Sequence, residues 1–120
     1  MAGERLLVAC LCAEWCGACR EYRPLFEALA ARFAGEAEFA WIDIEDESDA
    51  LGDPDIESFP TLLVADAGAL RFLGAVPPQS GTLERLVRSA VEGALPAVTF
   101  ADAGLAERVR GVLRSRRATA

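Results

Sequence analysis

Four segments of the chain are apolar runs, and three others space their apolar residues at intervals of three and four. RLLVACLC (5–12) is continuous and ends at a charged break, the pattern of a strand buried on both faces. EFAWIDI (38–44) reads as a second buried strand, and TLLVAD (61–66) with ALRFLG (69–74) flank Ala67 and Gly68 as a hairpin. Between the first two strands, Cys19, Tyr22, Phe26, Leu29 and Phe33 form one apolar helical face, while Arg20, Glu21, Glu27 and Arg32 fall elsewhere. That spacing predicts a helix starting at Cys16 and stopping near Gly35. Pro24 inside it cannot donate to the carbonyl of Arg20, which predicts a kink. After VPPQSG (76–81), Thr82 reads as the N-cap of a helix whose buried stripe is Leu83, Leu86, Val87, Ala90 and Val91, ending near Gly93.

The order strand, helix, strand, strand, strand, helix gives an α/β domain: a parallel pair joined by a crossover helix, then a hairpin and a closing helix on one central mixed sheet. EWCGACR (14–20) then lies at the carboxyl end of the first strand, where ligands and chemistry gather in open α/β sheets. The 120 residues, 52% of them hydrophobic, suffice for one core. We place the domain at residues 1–95 and a C-terminal extension at 96–120. In the extension, residues 98–100 read as a short strand and 102–114 as a helix with Leu105, Val109, Val112 and Leu113 inward, unless the segment is partly disordered.

Charge narrows the partners. All basic residues are arginine, there is no histidine, and the net charge of −7 argues against nucleic acid or an anionic membrane as partner. Residues 1–95 hold 7 Arg against 17 Asp plus Glu, whereas residues 96–120 hold 5 Arg against Asp102 and Glu107, so the basic tail is expected to lie against the acidic body. Eight acids among residues 43–57 read as a solvated loop with one short helical turn, in preference to a metal site. The apolar run at 6–12 is too short for a secretory signal, and no segment reaches membrane-spanning length, which points to a cytoplasmic protein. Four cysteines in a reducing compartment suggest redox or metal chemistry more than a structural disulfide framework.

Three readings compete for those cysteines. Cys16 at a helix N-terminus, with Cys19 one turn further in, suits a redox pair, because unpaired N–H groups stabilise a thiolate there and the second thiol is held ready to resolve a mixed disulfide. Cys10, Cys12, Cys16 and Cys19 together offer four ligands to zinc or an iron-sulfur cluster, but Cys10 and Cys12 share one strand face, so gathering all four distorts the strand or the helix start. The third reading makes the cysteines small core residues. Trp15, a large aromatic at an exposed helix start, favours the redox reading as a docking surface. Cys10 and Cys12 read as core residues, with Cys12 near enough to the motif to be a third redox thiol.

Taken together these segments resemble the thioredoxin family. AEWCGACR (13–20) is similar to its active-site segment and Pro24 to its helix-kinking proline. FPTLLV (59–64) is similar to its cis-proline segment, and Gly74-Ala75 to its glycine turn. The resemblance covers about residues 4–93. It implies a thioredoxin-like fold and a thiol-disulfide oxidoreductase that reduces protein disulfides, with Cys16 as nucleophile, Cys19 as resolving thiol and Pro60 as cis-proline. Trp15, Gly17, Ala18, Phe59, Pro60 and Gly74 would bind substrate. It implies no cofactor and no metal, a monomer, disulfide-containing protein substrates, and recharging by a thioredoxin reductase or another thiol donor. The competing reading is a thioredoxin-fold binding module that docks one partner and senses redox state.

The sequence departs from the family in several places. The family's buried acid aligns with Cys10 and its facing lysine with Phe39, so both charges are lost together, which avoids stranding one of them. The usual first-strand tryptophan is replaced by Cys12, and the pair between the active-site cysteines is Gly-Ala instead of Gly-Pro. The usual N-terminal strand-helix unit is lacking before Arg5. Residues 96–120 are expected to take its place in space, as a permutation would.

Overall fold

A computed structural model of the chain describes residues 6–13, 17–51, 60–66, 69–75, 80–98 and 104–119. Its elements are β1 (Leu6–Cys12), α1 (Gly17–Arg32), β2 (Ala37–Asp43), α2 (Ser48–Leu51), β3 (Thr61–Ala65), β4 (Leu70–Ala75), α3 (Ser80–Val91) and α4 (Gly104–Thr119). The strands form one mixed sheet in the order β2-β1-β3-β4, with β1 parallel to β2 and antiparallel to β3, and β3 antiparallel to β4.

β1 is central and apolar on both sides, so its alternation feeds two cores. Val8, Cys10 and Cys12 join Leu62 and Val64 of β3 under Tyr22, Phe26 and Leu29 of α1 and Leu83 and Val87 of α3. Leu7, Ala9 and Leu11 join Leu63 and Ala65 on the opposite face, under Leu51 of α2 and Leu105, Val109, Val112 and Leu113 of α4. α1 and α3 are also tied across their exposed rim by Glu84, whose carboxylate accepts from Arg32 at 2.8 Å and from Arg88 at 2.8 Å. Those hydrogen bonds, Arg32's first, hold the Glu84 carboxyl at about 2 instead of 4.5.

The hairpin and the fourth helix are closed by specific polar contacts. Asp66 accepts from the Ala69 amide at 2.9 Å and from Arg71 at 2.8 Å, while its own amide donates to Ala69, which fixes the turn after β3. From α4, the buried Arg110 donates to the carbonyls of Ala65 and Asp66. Arg108 donates to the Leu51 carbonyl at 2.7 Å, and Arg116 reaches Glu47 at 3.4 Å. The basic tail thus lies against the acidic body, through backbone carbonyls as much as through carboxylates.

Several boundaries differ from the sequence reading. α3 begins at Ser80, so Thr82 is inside its first turn instead of capping it, and Val91, the last residue of α3, is 38% exposed. The stop at Gly93 is a Schellman closure, with Gly93 at φ 75°, its amide on Ala90 and the Ala94 amide on Ser89. Gly74 is no turn residue: it lies inside β4 opposite Leu62. Val98 belongs to no strand but donates one hydrogen bond to the Leu70 carbonyl at 2.8 Å, while residues 99–103 lie outside the described residues.

Two outcomes follow. Leu105→Ala should destabilise the fold by about 2–5 kcal/mol in chemical denaturation, since a buried leucine of α4 leaves a cavity in the second core; an unchanged midpoint would mean that α4 is dispensable. Glu84 binds its proton less readily in the folded chain, so its contribution is complete above pH 4.5 and is lost as pH falls through about 2. The stability gap between the wild type and Glu84→Gln should therefore be open at pH 6, close toward pH 2, and shrink in high salt.

Candidate active site

Strand register gathers the candidate residues at one end of the sheet. β1 runs out at Cys12, beside Asp43 of β2, and Leu11 pairs with Thr61, the first residue of β3. Pro60, which is buried, therefore lies next to Cys12, and Thr61 and Leu62 pair onward with Ala75 and Gly74 of β4. α1 begins at Gly17 directly beyond this edge, with Gly17 exposed and Cys19 in its first turn. Trp15, Cys16 and Phe59 lie outside the described residues, as does the side chain of Ala18.

Cys19 is 2% exposed and belongs to the same apolar cluster as Cys10, Cys12 and Tyr22. Helical spacing explains this: Cys19, Tyr22 and Phe26 follow at three and four along α1 and face the sheet. The sulfurs of Cys10 and Cys12 lie 3.3 Å apart on the same face of β1. The Tyr22 hydroxyl is buried beside them without a hydrogen-bond partner among the described residues. Burial first, then the neighbouring Cys10 and Cys12, push its pKa above the ordinary tyrosine value. Among the described residues no three His, Cys, Asp or Glu side chains converge as metal ligands.

A cavity of about 390 Å³ opens against Cys12 and Cys19, within the size range of small-ligand sites. Its wall is polar. The Arg23 guanidinium lies 5.2 Å over the Trp41 ring, and Arg116 enters from α4 to donate to the Trp41 carbonyl at 3.2 Å. Asp43 turns its carboxylate back onto the amides of Glu45 and Asp46, so the first part of the acidic loop is satisfied by its own backbone. The sequence reading did not single out Trp41, Arg23 or Arg116. Trp41 sits mid-strand like a core residue, and the arrival of Arg116 depends on how α4 docks.

The comparisons agree with this architecture. The thioredoxin family model matches residues 2–87, and the chain belongs to the thioredoxin family. It is 38% identical over 60 residues to a thioredoxin of Gallus gallus, a match covering 50% of this chain and 56% of that protein. To thioredoxin-2 of Saccharomyces cerevisiae it is 32% identical over 78 residues, covering 63% of this chain and 74% of that one. A crystal structure of thioredoxin from Trypanosoma brucei brucei superposes with a TM-score of 0.64 at 25% identity, over 77% of this chain and 80% of that one. Among the described residues no helix is long and apolar enough to cross a membrane.

The orphaned Tyr22 hydroxyl generates a stability test. A buried hydroxyl without a partner costs about 1–3 kcal/mol, so Tyr22→Phe should unfold at an equal or higher denaturant concentration than the wild type. A loss of more than about 1 kcal/mol would mean that the hydroxyl makes a hydrogen bond.

Proposed function

We propose that the protein is a thiol-disulfide oxidoreductase that reduces protein disulfides by dithiol exchange through Cys16 and Cys19. The observation that carries this reading is the situation of Cys19: first turn of α1, at the carboxyl end of β1, nearly closed to solvent and beside a cavity. A thiol so sheltered suits an intramolecular resolving step better than attack on a bulky substrate. Cys16, three residues earlier, is then the nucleophile.

In this mechanism the Cys16 thiolate, stabilised by the amides of the helix start, attacks one sulfur of the substrate disulfide. The first substrate sulfur leaves as a thiolate and takes up a proton. Cys19 loses its proton and attacks the Cys16 sulfur in the mixed disulfide, releasing the second substrate sulfur. Two electrons pass to the substrate, and the chain is left with a Cys16–Cys19 disulfide for a thioredoxin reductase or another thiol donor to reduce. No bound cofactor takes part.

Trp15, Gly17, Ala18, Phe59, Pro60 and Gly74 form the surface on which substrate docks in this reading. In this reading the residue before Pro60 offers its backbone polar groups to an extended substrate segment, much as an added strand would. The thiols need a reducing compartment, and the cytoplasm is the one we assign.

Replacing the nucleophile tests the reading directly. Cys16→Ser should bring reduction of a disulfide-bonded protein down to the rate of buffer thiol alone, and full retained activity would exclude the mechanism. Cys19→Ser should accumulate a mixed disulfide at Cys16. Many captured partners suit a general reductase, whereas a single dominant one would favour a binding module.

A further inference from the structure

Two thiols of the core take no part in the exchange just described. Cys10 is fully buried and Cys12 is 2% exposed, with their sulfurs 3.3 Å apart. They occupy alternate positions of β1 and face the side that α1 covers, where Cys19 belongs to the same cluster. Cys12 and Cys19 also line one cavity. Tyr22 adds a buried hydroxyl that no group among the described residues engages.

We infer that Cys10 and Cys12 are a second redox-active dithiol, coupled to the outer pair through a transient Cys12–Cys19 disulfide. The inference rests on the Cys16/Cys19 reading. Starting from the Cys16–Cys19 disulfide, Cys12 gives up its proton and attacks the sulfur of Cys19. The Cys16–Cys19 bond breaks, and Cys16 leaves as a thiolate at the helix start, where the unpaired amides stabilise the anion. Cys10 then gives up its proton and attacks the sulfur of Cys12, so that Cys19 leaves as a thiolate. The two protons released by Cys10 and Cys12 end on Cys16 and Cys19. Two electrons have moved outward, and the substrate disulfide is the oxidant they ultimately serve.

Cys12 and Cys19 share one cluster and one cavity, and Cys10 and Cys12 share one strand face. Residues two apart on an extended strand have Cα atoms about 6.6 Å apart, and disulfides span Cα separations up to about 6.8 Å. The Cβ atoms of such a pair stand farther apart than the roughly 3.5–4.5 Å that a disulfide allows, so closing the inner bond draws β1 into a local kink while its register is kept. Burial supplies the order of events: a bulky protein disulfide cannot reach Cys10 or Cys12, so oxidation has to enter through the Cys16–Cys19 disulfide and pass inward from Cys19. The Tyr22 hydroxyl, kept protonated by its burial and engaged by no group among the described residues, can donate to a thiolate forming beside it. The consequence is a chain that reduces two substrate disulfides before any external thiol reaches it.

The test mixes the fully reduced chain, cleared of buffer thiol, with an excess of a disulfide-bonded protein. Thiols lost per chain are then counted by alkylation after denaturation and mapped by peptide mass. All four cysteines should be oxidised, with two substrate disulfides reduced per chain and a Cys10–Cys12 disulfide recovered. Cys10→Ala and Cys12→Ala should each halve that yield, and Cys19→Ser should leave Cys10 and Cys12 as thiols. If the wild type stops at one substrate disulfide, with Cys16–Cys19 bonded and Cys10 and Cys12 alkylated, the second dithiol is overturned and the outer exchange stands. Equally fast oxidation of Cys10 and Cys12 in Cys19→Ser also overturns the route through Cys19. Four alkylated cysteines and no substrate reduction would overturn both readings.

Discussion

The structure depends on burying β1 from both sides. A strand with apolar residues at every position has no face to give to water, so each side must be covered by helices before the chain gains from forming the sheet. Leu7, Ala9 and Leu11 need α2 and α4, while Val8, Cys10 and Cys12 need α1 and α3. The same constraint sets the chemistry, since the end of β1 is where α1 starts and where β3 and β4 deliver Pro60 and Gly74. One strand thus fixes both the layering and the location of the thiols.

Around that strand the two faces are held in different ways. The α1/α3 face is packed through apolar and aromatic side chains, with Phe26 edge-on against Phe39 and Trp41 at 5.5 and 5.7 Å, and it is tied at its rim by Glu84. Where the family carries a charge pair, this chain has Cys10 and Phe39. Its inner end therefore holds polarizable sulfur and a phenol in place of a buried ion pair, which avoids the desolvation cost of two charges. The α2/α4 face is anchored by arginine. Arg108, Arg110 and Arg116 each donate to a backbone carbonyl, a task for which the planar, multiply donating guanidinium is well suited. An acidic body and an arginine-rich tail are parts of one packing arrangement.

Much of this was legible in the sequence because it rests on local periodicity. The unbroken run at 5–12, the helical spacing from Cys19 to Phe33 and the paired runs around residues 67–68 produce β1, α1 and the β3–β4 hairpin within a residue or two. The misreadings arose where a residue's local preference and its tertiary surroundings disagree. The family resemblance made Gly74 part of a turn, whereas the run 69–74 placed it in a strand, and pairing with Leu62 keeps it in β4. Val91 continues the apolar stripe of α3 but is its last residue and is exposed, and Thr82 is a good cap within a helix that begins at Ser80.

By itself the sequence determined which segments are strands and helices, that the thiols stand at a strand end beside a helix start, and that Cys10 and Cys12 share a strand face. Those properties follow from side-chain periods of two and 3.6, which a chain carries with it before it folds. Only the tertiary structure decided that α4 covers the second face of the sheet, that Arg116 reaches the Trp41 carbonyl beside Cys12 and Cys19, and that the Tyr22 hydroxyl finds no hydrogen-bond partner among the described residues. These depend on how elements far apart in sequence dock together, and no local pattern encodes the distance between residues 41 and 116.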